Sequence, residues 1–543
     1  MDTLLGKRRA IRANSRKISR VLKVSSWLGR KKRKRDETPK VLGRSADKFG
    51  ALDDTTRHLG IVSVCGGVWN LWVASYAAFS GMYSTNMTSS IISSINMKEL
   101  QDNAPPTGAF LSGSYIRSFA YKTIKDRLPI IVTGVIDRMS RNKESIIQKY
   151  GPNSSDELKQ VIGDLSQLRS ELMTNKPLNL LNLTNSEKDR DAAIWNKYIK
   201  NIEDTSGAPP TWYNAVWLFS ECYMYRRISQ IFTVTHTLSA YDPFENQKHE
   251  SFATFHRVID LVAKYIINIA NETNNSSDKC QENLINLLKL NLWGNRCDLS
   301  LSGGSIDAHE GINPIEQLKM FDKYILIDDS VTVWNLLNKQ SVETKNQDVI
   351  IDIVLDNAGY ELFTDMCLAV FLMTKNLAQK IRFYVKSIPW FISDTMKKDF
   401  IWLIDNMKNS SAIYVRELGE KCWNYIENGQ WTIEVESFWT EPYDFSEMKH
   451  NSPELYAKLS EAKLIIFKGD LNYRKLLGDI NWMYETNLAT ALRGFKPTNI
   501  VTLRTIKADL IVGLSCEKAT ELFKKQENWM TTGQYGLINS VIN

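Results

Sequence analysis

Residues 463–475, KLIIFKGDLNYRK, change abruptly from apolar to polar side chains. The first five residues predict a short buried β-strand, because an apolar run of this length ends there at polar residues. A carboxylate, a carboxamide, a phenol and three cations follow within a few positions. Because open α/β sheets bind ligands at the carboxyl ends of their strands, this stretch predicts both a fold class and a binding site.

Two further predicted strands end in the same way. Residues 349–355, which are apolar except for Asp352, are followed by Asp356 and Asn357, and residues 499–503 are followed by RTIK at 504–507. Carboxylates, carboxamides and cations thus collect at three strand ends in one region of the chain. This pattern predicts a single shared site.

Strand-like segments alternate with helix-length segments from about residue 320 onward. They lie at residues 323–327, 349–355, 380–385, 432–436, 463–467, 500–503 and 509–512. This alternation predicts βαβ units and a largely parallel sheet. The residues from about 106 to 320 have mostly helical periodicity, clearest at 215–232. We therefore expect the α/β fold class, with a mostly helical N-terminal region followed by a three-layer α/β domain.

Length and composition divide the chain into four predicted segments. A chain of 543 residues is expected to fold as two or three units. The segments are a basic extension at 1–58, an uncharged apolar segment at 59–96, a mainly helical part at 97–320 and an α/β part at 321–543 that carries the site. Residues 59–80 are long enough to span a membrane, but their paired glycines and polar residues favour a buried strand or an extension.

The positive charge is concentrated at the N-terminus. The net charge of the chain is +7, whereas residues 1–44 contain 16 Lys and Arg against 3 acids, a net +13, so the remainder carries −6. Binding to nucleic acid or to an anionic membrane is therefore expected only through residues 1–44. The cluster KKRKR at 31–35 is either a nuclear-import or nucleic-acid-binding patch or part of a solvated, disordered tail. The 7 cysteines have no CxxC spacing, which argues against disulfide and zinc frameworks and fits a cytoplasmic compartment, or the nucleus through the basic arm.

Asp356 and Asn357 are the first candidates for metal ligands. A carboxylate and a carboxamide oxygen suit a hard divalent cation such as Mg²⁺ or Mn²⁺ better than zinc. The alternative is an Asx turn or a helix cap after the strand, which Gly359 would assist. The residues themselves leave both interpretations open. The sequence contains no Walker A, GxGxxG, HExxH or GxSxG motif, so the corresponding catalytic classes are disfavoured.

Three motifs together closely resemble the metal-dependent damage-control phosphatases, formerly a domain of unknown function. They are LDNAGYEL at 355–362, FKGDLNYRKL at 467–476 and RTIK at 504–507, of which the last is the signature of one subfamily. One member of that subfamily has also been described as a methyltransferase of protein glutamate (acidic) residues. The resemblance runs in consistent order from about residue 97 to the C-terminus and includes segments at 118–120, 125–129, 217–227, 292–299, 389–394 and 437–440.

The resemblance implies a metal site and a substrate loop. Its ligands would be Asp356, Asn357 and Asp394, holding one divalent ion such as Mn²⁺, Co²⁺, Ni²⁺ or Mg²⁺. Without the family, Asp394 would be interpreted as a helix N-cap. Lys507 would bind phosphate and completes the implied catalytic set. The implied substrate-binding residues are Asp356, Asn357, Asp470, Leu471, Asn472, Tyr473, Arg474 and Lys507.

A helix at 217–227 resembles a wall of the site. Glu221 on this helix, together with Asn295 and Asp298, is a candidate for that wall. The neighbouring Arg226 and Arg227 are better explained as parts of an ion-paired helix face. These three wall residues are thus expected beside the substrate rather than on the metal.

The implied function is a metal-dependent phosphatase that hydrolyses small phosphorylated metabolites, such as the sugar phosphates fructose 1-phosphate and fructose 6-phosphate. Lys507 with Asn472 and Arg474 would neutralise the phosphate. Asp470 would orient the attacking water or act as general acid, and a covalent aspartyl-phosphate route stays open. One alternative is an S-adenosylmethionine-dependent protein carboxyl methyltransferase, although the turn at 356–359 (DNAG) has metal ligands where such cofactor sites usually have glycines. Another is a tethered or nucleic-acid-associated protein without enzymatic activity.

Overall fold

The centre of the fold in this computed structural model is a β-sheet. The structure describes residues 100–183, 190–272, 276–294, 318–339 and 348–542. Within these residues the strands are β1 (Ile325–Asp328), β2 (Ile350–Val354), β3 (Lys380–Val385), β4 (Trp431–Val435), β5 (Leu464–Lys468), β6 (Asn499–Thr505) and β7 (Gly536–Val541). Their order across the sheet is β1-β7-β6-β5-β2-β3-β4.

The sheet is largely parallel, as the alternation of strands and helices predicts. Strands β2 to β6 run in the same direction, β7 is antiparallel to β6, and β1 is parallel to β7. From β2 the chain continues outward through β3 and β4 on one side, and it later forms β5 and β6 on the other side. The carboxyl ends of β2 and β5 therefore flank the switch point at which open α/β sheets bind ligands.

The strand bounds predicted from the sequence agree with the structure within two residues for β1 to β6. The predicted strand at 509–512 is wrong. Arg504 donates hydrogen bonds to the main-chain carbonyls of Leu510 at 2.7 Å and Ala508 at 3.2 Å, so this apolar segment packs around a side chain instead of pairing as a strand. The sequence pattern does not predict β7 (GLINSV), because Asn539 and Ser540 interrupt its apolar run.

Helices make up the N-terminal part of the described chain and flank the sheet. In the N-terminal part they are α1 (Phe119–Lys122), α2 (Leu128–Arg141), α3 (Lys143–Tyr150), α4 (Ser154–Met173), α5 (Ala192–Ser206), α6 (Trp217–Thr233), α7 (Glu245–Thr254), α8 (His256–Asn271) and α9 (Ser277–Trp293). Among the strands they are α10 (Ser330–Asn338), α11 (Tyr360–Thr374), α12 (Lys397–Lys408), α13 (Ile413–Glu427), α14 (Met448–Asn451), α15 (Pro453–Ser460), α16 (Gly469–Leu477), α17 (Leu488–Ala491) and α18 (Cys516–Lys525). A helical region followed by an α/β region is therefore confirmed.

Alternate residues of β5 point into two hydrophobic cores. Ile465 and Phe467 belong to a core that includes the side chains of α6, whereas Leu464 and Ile466 belong to a core that includes those of α11. Successive side chains of a strand lie on opposite faces of the sheet. A strand that is buried on both faces must therefore be apolar at consecutive positions. This two-sided burial produces the predicted three layers.

All described residues belong to one compact unit, Thr85–Asn543. The predicted extension at 1–58 and the apolar segment at 59–96, including the possible span at 59–80, lie outside the described residues. In the part of the chain that the structure describes, no helix is both long enough and apolar enough to cross a membrane.

A buried ion pair links the neighbouring strands β2 and β3. Asp352 lies opposite Arg382 and accepts hydrogen bonds from its Nε at 2.6 Å and its Nη2 at 2.9 Å. Arg382 Nη1 also donates to Glu461 at 2.8 Å. The side chain of Asp352 is 0% exposed, whereas that of Glu461 is 61% exposed. One guanidinium group thus has a buried partner and an exposed partner.

Replacing the buried partner should cost far more stability than replacing the exposed one. Asp352→Ala should lower the free energy of unfolding by about 3–5 kcal/mol, because it leaves the charge of Arg382 buried and uncompensated. Glu461→Ala should lower it by no more than about 1 kcal/mol, since exposed ion pairs contribute little. Urea-induced unfolding followed by circular dichroism measures both values. Equal losses in the two variants would contradict this ranking.

Candidate active site

Asp356 and Asn357 directly follow β2, and the loop between β3 and α12 returns over them. The Thr395 N–H donates to the Asp356 main-chain carbonyl at 2.8 Å. Asn357 and Asp394 form an isolated antiparallel bridge. This pairing brings Asp394 to the end of β2, although it lies 38 residues further along the chain. The three candidate metal ligands are therefore neighbours in the fold.

The returning loop holds its backbone in an unusual conformation. Phe391 and Ile392 have positive φ angles of 42° and 71°, a region that a β-branched residue rarely adopts. Such a conformation costs on the order of 1–3 kcal/mol per residue and persists only where the surroundings enforce it. The ring of Tyr225 in α6 stacks on Phe391, with the centroids 4.7 Å apart. Helix α6 thus supports the loop that carries Asp394.

The carboxyl groups of Asp356 and Asp394 are both buried at this edge of the sheet. Burial raises the pKa of Asp394 to about 6, and the ammonium group of Lys386 opposes this effect. Burial also raises the pKa of Asp356 well above its usual value, and the negative charges of Glu361 and Asp394 add to the rise. The two carboxyl groups therefore have too little positive charge around them for both to ionise at low cost.

Lys386, the residue after β3, supplies part of the positive charge. Its Nζ atom lies 3.3 Å from Asp394 Oδ2 and donates a hydrogen bond to the Leu355 carbonyl at 3.0 Å. The contact with Asp394 is not aligned as a hydrogen bond, so its buried Oδ2 accepts no hydrogen bond from any residue that the structure describes. A buried carboxylate oxygen in this state is one that a cation would satisfy.

The turn from β5 into α16 lies against Asp356. Gly469 has a φ angle of +82°, and a Cβ atom at this position would lie 1.9 Å from Asp356 Oδ2. Both the backbone conformation and the close contact therefore require glycine. The first turn of α16 begins beside this carboxylate, and its N–H groups have no partner within the helix. N–H groups at helix N-termini can bind anions.

Asp470 and Lys507 lie at the ends of the adjacent strands β5 and β6. Asp470 Oδ1 accepts hydrogen bonds from Arg504 Nε at 2.7 Å and from the Lys507 N–H at 3.1 Å. Burial alone would raise the pKa of Asp470, but the charges of Arg504 and Arg474 outweigh it and hold the pKa below its usual value. The ammonium group of Lys507 acts on Asp356 and opposes the effect of burial on the pKa of that carboxyl group.

Three further residues of the predicted substrate loop direct their side chains into the interior. Leu471 and Tyr473 belong to a hydrophobic core, and the Tyr473 hydroxyl accepts a hydrogen bond from the Val512 N–H at 3.3 Å. Asn472 Nδ2 donates to the Lys468 carbonyl at 2.8 Å. These side chains stabilise the loop, and their role in substrate binding stays a prediction.

The guanidinium group of Arg474 is bound on several sides. Its Nε and Nη2 donate to Asp479 at 2.8 and 2.9 Å, and its Nη1 donates to Glu221 at 2.7 Å. The group also lies 3.6 Å from the ring centroid of Trp217. Glu221 thus connects α6 to α16. A phosphate would have to displace one of these carboxylates to reach Arg474, so the predicted phosphate contact of Arg474 stays a prediction.

Three residues that contact the candidate ligands receive no role from the sequence. They are Glu361, Lys386 and Ser393. Glu361 follows Asn357 by four residues, a spacing that makes neighbours on a helix, and Lys386 directly follows a buried strand. These spacings are the signals by which the first two could be found. The predicted wall residues Asn295 and Asp298 lie outside the described residues.

The donor atoms of the site fit a hard divalent cation. Asp356 and Asp394 offer carboxylate oxygens, and the Asn357 amide oxygen accepts a hydrogen bond from Ser393 Oγ and retains a second lone pair. Among the described residues, no group of three or more His, Cys, Asp and Glu side chains is arranged to hold a metal ion. A site here therefore requires the carboxamide as a third ligand. A donor set made only of oxygens suits Mg²⁺ or Mn²⁺ better than zinc.

The fold and the site together define the class as an α/β protein whose sheet edge combines candidate cation ligands with the N-terminus of a helix. The family model for the damage-control phosphatase ARMT1-like domain matches residues 123–522. This match covers more than half of the chain, and the chain belongs to that family. The resemblance of its motifs is therefore confirmed.

The relatives with curated names are similar over most of their length. The protein named damage-control phosphatase ARMT1 from Danio rerio is 39% identical over 445 residues, which cover 81% of this chain and 98% of that protein. Proteins of the same name from Mus musculus and Homo sapiens are 40% and 38% identical, covering 79% of this chain and 98% and 97% of the relatives. A crystal structure of a DUF89 family protein from Pyrococcus horikoshii aligns with a TM-score of 0.31 at 17% identity. The alignment covers 61% of this chain and 90% of that chain.

The contact of Gly469 with Asp356 predicts a specific effect of a single methyl group. Gly469→Ala should weaken the affinity for Mn²⁺ by at least about tenfold, because the new Cβ displaces a ligand carboxylate. Gly429→Ala is the matched control, since Gly429 also has a positive φ of +70° but meets nothing within 4 Å. The control should lose only about 1–2 kcal/mol of stability and keep its Mn²⁺ affinity.

Titration calorimetry with Mn²⁺ and thermal unfolding of both variants make the comparison. A folded Gly469→Ala variant with the Mn²⁺ affinity of the wild type would show that Asp356 is not a ligand in this geometry.

Proposed function

We propose that the chain is a metal-dependent phosphatase that hydrolyses small phosphorylated metabolites, including sugar phosphates such as fructose 1-phosphate and fructose 6-phosphate. The observation that carries this proposal is the placement of Asp356, Asp394 and Lys507 at one sheet edge, beside the N-terminus of α16. Membership of the family and the name of the relatives, damage-control phosphatase, support phosphatase activity. The preference for sugar phosphates rests on the resemblance of the motifs and is the finer part of the proposal.

The cation side of the reaction involves the residues around β2. Asp356, Asn357 and Asp394 would hold a divalent cation, which supplies polarisation of a phosphate oxygen and activation of a water molecule. The support for this assignment is the buried Oδ2 atom of Asp394, which has an ion pair but no hydrogen bond, and the raised pKa values of both carboxyl groups. Lys386 holds Asp394 in place through the ion pair at 3.3 Å.

The phosphate side involves the residues after β5 and β6. The N–H groups at the start of α16 bind phosphate oxygens, as helix N-termini do. Lys507 adds a positive charge that stabilises the negative charge of the phosphoryl group in the transition state. Arg504 keeps Asp470 ionised. An ionised carboxylate can accept a hydrogen bond from the attacking water and orient it, but it has no proton to give as a general acid.

No specific observation among the described residues favours either alternative, the methyltransferase or the protein without enzymatic activity. The turn after β2 contains Asp356 and Asn357, both engaged in the site described above, rather than the glycine-rich turn that nucleotide cofactors usually require. The basic residues 1–44, on which a nucleic-acid or membrane role would depend, lie outside the described residues. The phosphatase is therefore the function that the site supports best.

Phosphate release from fructose 1-phosphate by the purified full-length chain tests the function. Release should stop in EDTA and should return when Mn²⁺, Co²⁺, Ni²⁺ or Mg²⁺ is added. Lys507→Met should lower the turnover by about a hundredfold or more, because it removes one electrostatic donor to the transition state. Its Mn²⁺ affinity should stay unchanged, since Lys507 is not a ligand. The matched control is Lys496→Met, which removes an exposed lysine and should leave the turnover unchanged.

Each part of the proposal can fail separately. Full activity in EDTA would contradict the metal-dependent mechanism. Equal turnover in the Lys507→Met and Lys496→Met variants would remove Lys507 from the catalytic set. Transfer of methyl groups from S-adenosylmethionine to protein carboxylates, without release of phosphate from any ester, would replace the phosphatase with the methyltransferase.

A further inference from the structure

Lys468 is a buried lysine that binds two carboxylates of one helix. It is the last residue of β5, and its side chain is 0% exposed. Its Nζ donates to Glu361 Oε1 at 3.0 Å, to Asp365 Oδ1 at 2.7 Å and to the Asn291 carbonyl at 3.2 Å. An ammonium group has three donors, so these three acceptors account for all of them. Lys468 is thereby fixed between β5, α9 and α11.

The second carboxylate oxygen of Glu361 accepts a hydrogen bond from Asn357, a candidate metal ligand. Asn357 Nδ2 donates to Glu361 Oε2 at 2.7 Å and to Asp356 Oδ2 at 2.9 Å. Two carboxyl oxygens thus accept hydrogen bonds from the amide nitrogen, so the amide oxygen must point the other way. On that side it accepts a hydrogen bond from Ser393 Oγ. The two ends of an amide look alike in shape, and here the hydrogen-bond network determines which end is oxygen.

We propose that Glu361, held by Lys468, is a positioning residue that orients Asn357 so that its amide oxygen faces a bound divalent cation. The inference rests on the metal site of the proposed function. Without the Glu361 carboxylate, the amide can rotate by half a turn and present its NH₂ group, which repels a cation. Partners that orient metal ligands in this way typically change metal affinity by about 10- to 100-fold when they are replaced.

Asp365 provides a matched control one turn further along α11. It is as buried as Glu361 and binds the same ammonium group. Its Oδ2 atom accepts no hydrogen bond from any described residue, so Asp365 does not reach Asn357. A variant at Asp365 therefore changes the charge around Lys468 and leaves the amide partner of Asn357 in place.

Titration of the full-length chain with Mn²⁺ compares the two positions. Glu361→Gln has one side-chain oxygen for two donors, Lys468 Nζ and Asn357 Nδ2. When this oxygen accepts from Lys468, the glutamine presents its NH₂ group to Asn357, and the Asn357 amide turns around. Its Mn²⁺ dissociation constant should rise by about 10- to 100-fold. Asp365→Asn still accepts from Lys468, and its dissociation constant should change by less than about threefold. Calorimetry gives both constants without any substrate.

The part played by Lys468 is tested by a double-mutant cycle. Lys468→Met should weaken Mn²⁺ binding in the wild-type background, because Glu361 loses the partner that fixes it. In the Glu361→Gln background the same change should have an effect of less than about threefold, since the two residues act through one path. Additive losses would show that Lys468 acts independently of Glu361 and would overturn the inference.

The remaining outcomes also separate the inference from the proposed function. Should Glu361→Gln not fold, Glu361→Asp retains the charge but is too short to reach both partners, and it should show the same loss of affinity. An unchanged Mn²⁺ affinity in a folded Glu361 variant, or equal losses at Glu361 and Asp365, overturns the inference and leaves the phosphatase standing. A wild type that binds Mn²⁺ and shows the predicted difference, but releases no phosphate, overturns the phosphatase alone. A wild type that binds no divalent ion overturns both.

Discussion

The burial of two neighbouring carboxyl groups, Asp356 and Asp394, is the constraint on which the rest of the site depends. Burial raises the pKa of both groups, so their ionised forms need positive charge from outside this pair. Lys386 provides an ion pair with Asp394 but leaves one of its oxygens without an aligned hydrogen bond. A divalent cation would supply the missing charge. Two buried carboxyl groups arranged in this way are therefore stabilised in their ionised forms by a cation bound between them.

The topology of the sheet explains how this cluster arises. The strands on either side of the switch point, β2 and β5, end next to each other and are covered by one core on each face. Asp356 follows one of these strands, and Gly469 follows the other with no room for a side chain between them. Asp394 reaches the same place through a loop whose strained backbone at Phe391 and Ile392 is held by α6. Helix α6 thus supports the site through this loop.

The sequence predicts the parts of the site that depend on local pattern. Largely apolar runs that are followed by Asp356 and by Lys468 identify the strand ends, because a strand buried on both faces is apolar at most positions. Asp394 could be found only through the family motif, since its position depends on a loop conformation that no local pattern encodes. The segment at 509–512 shows the reverse error, in which an apolar run packs around Arg504 and forms no strand.

Long-range partners of charged residues are also invisible in the sequence. A lysine or an arginine after a strand has the same local pattern whether it meets a ligand or a buried carboxylate. Lys507 is placed beside the candidate ligands, whereas Lys468 binds Glu361 and Asp365 and Arg474 binds Glu221 and Asp479. Only the packing of α11 and α6 against the strand ends decides between these outcomes.

The position of a bound metal ion tests the central claim most directly. Crystals of the chain grown with Mn²⁺ allow the ion to be located from its anomalous scattering. The account predicts one strong peak at about 2.1 Å from oxygens of Asp356, Asn357 and Asp394, a distance typical of hard divalent ions with oxygen ligands. A peak bound by other residues, with these three side chains arranged as described here, would contradict it.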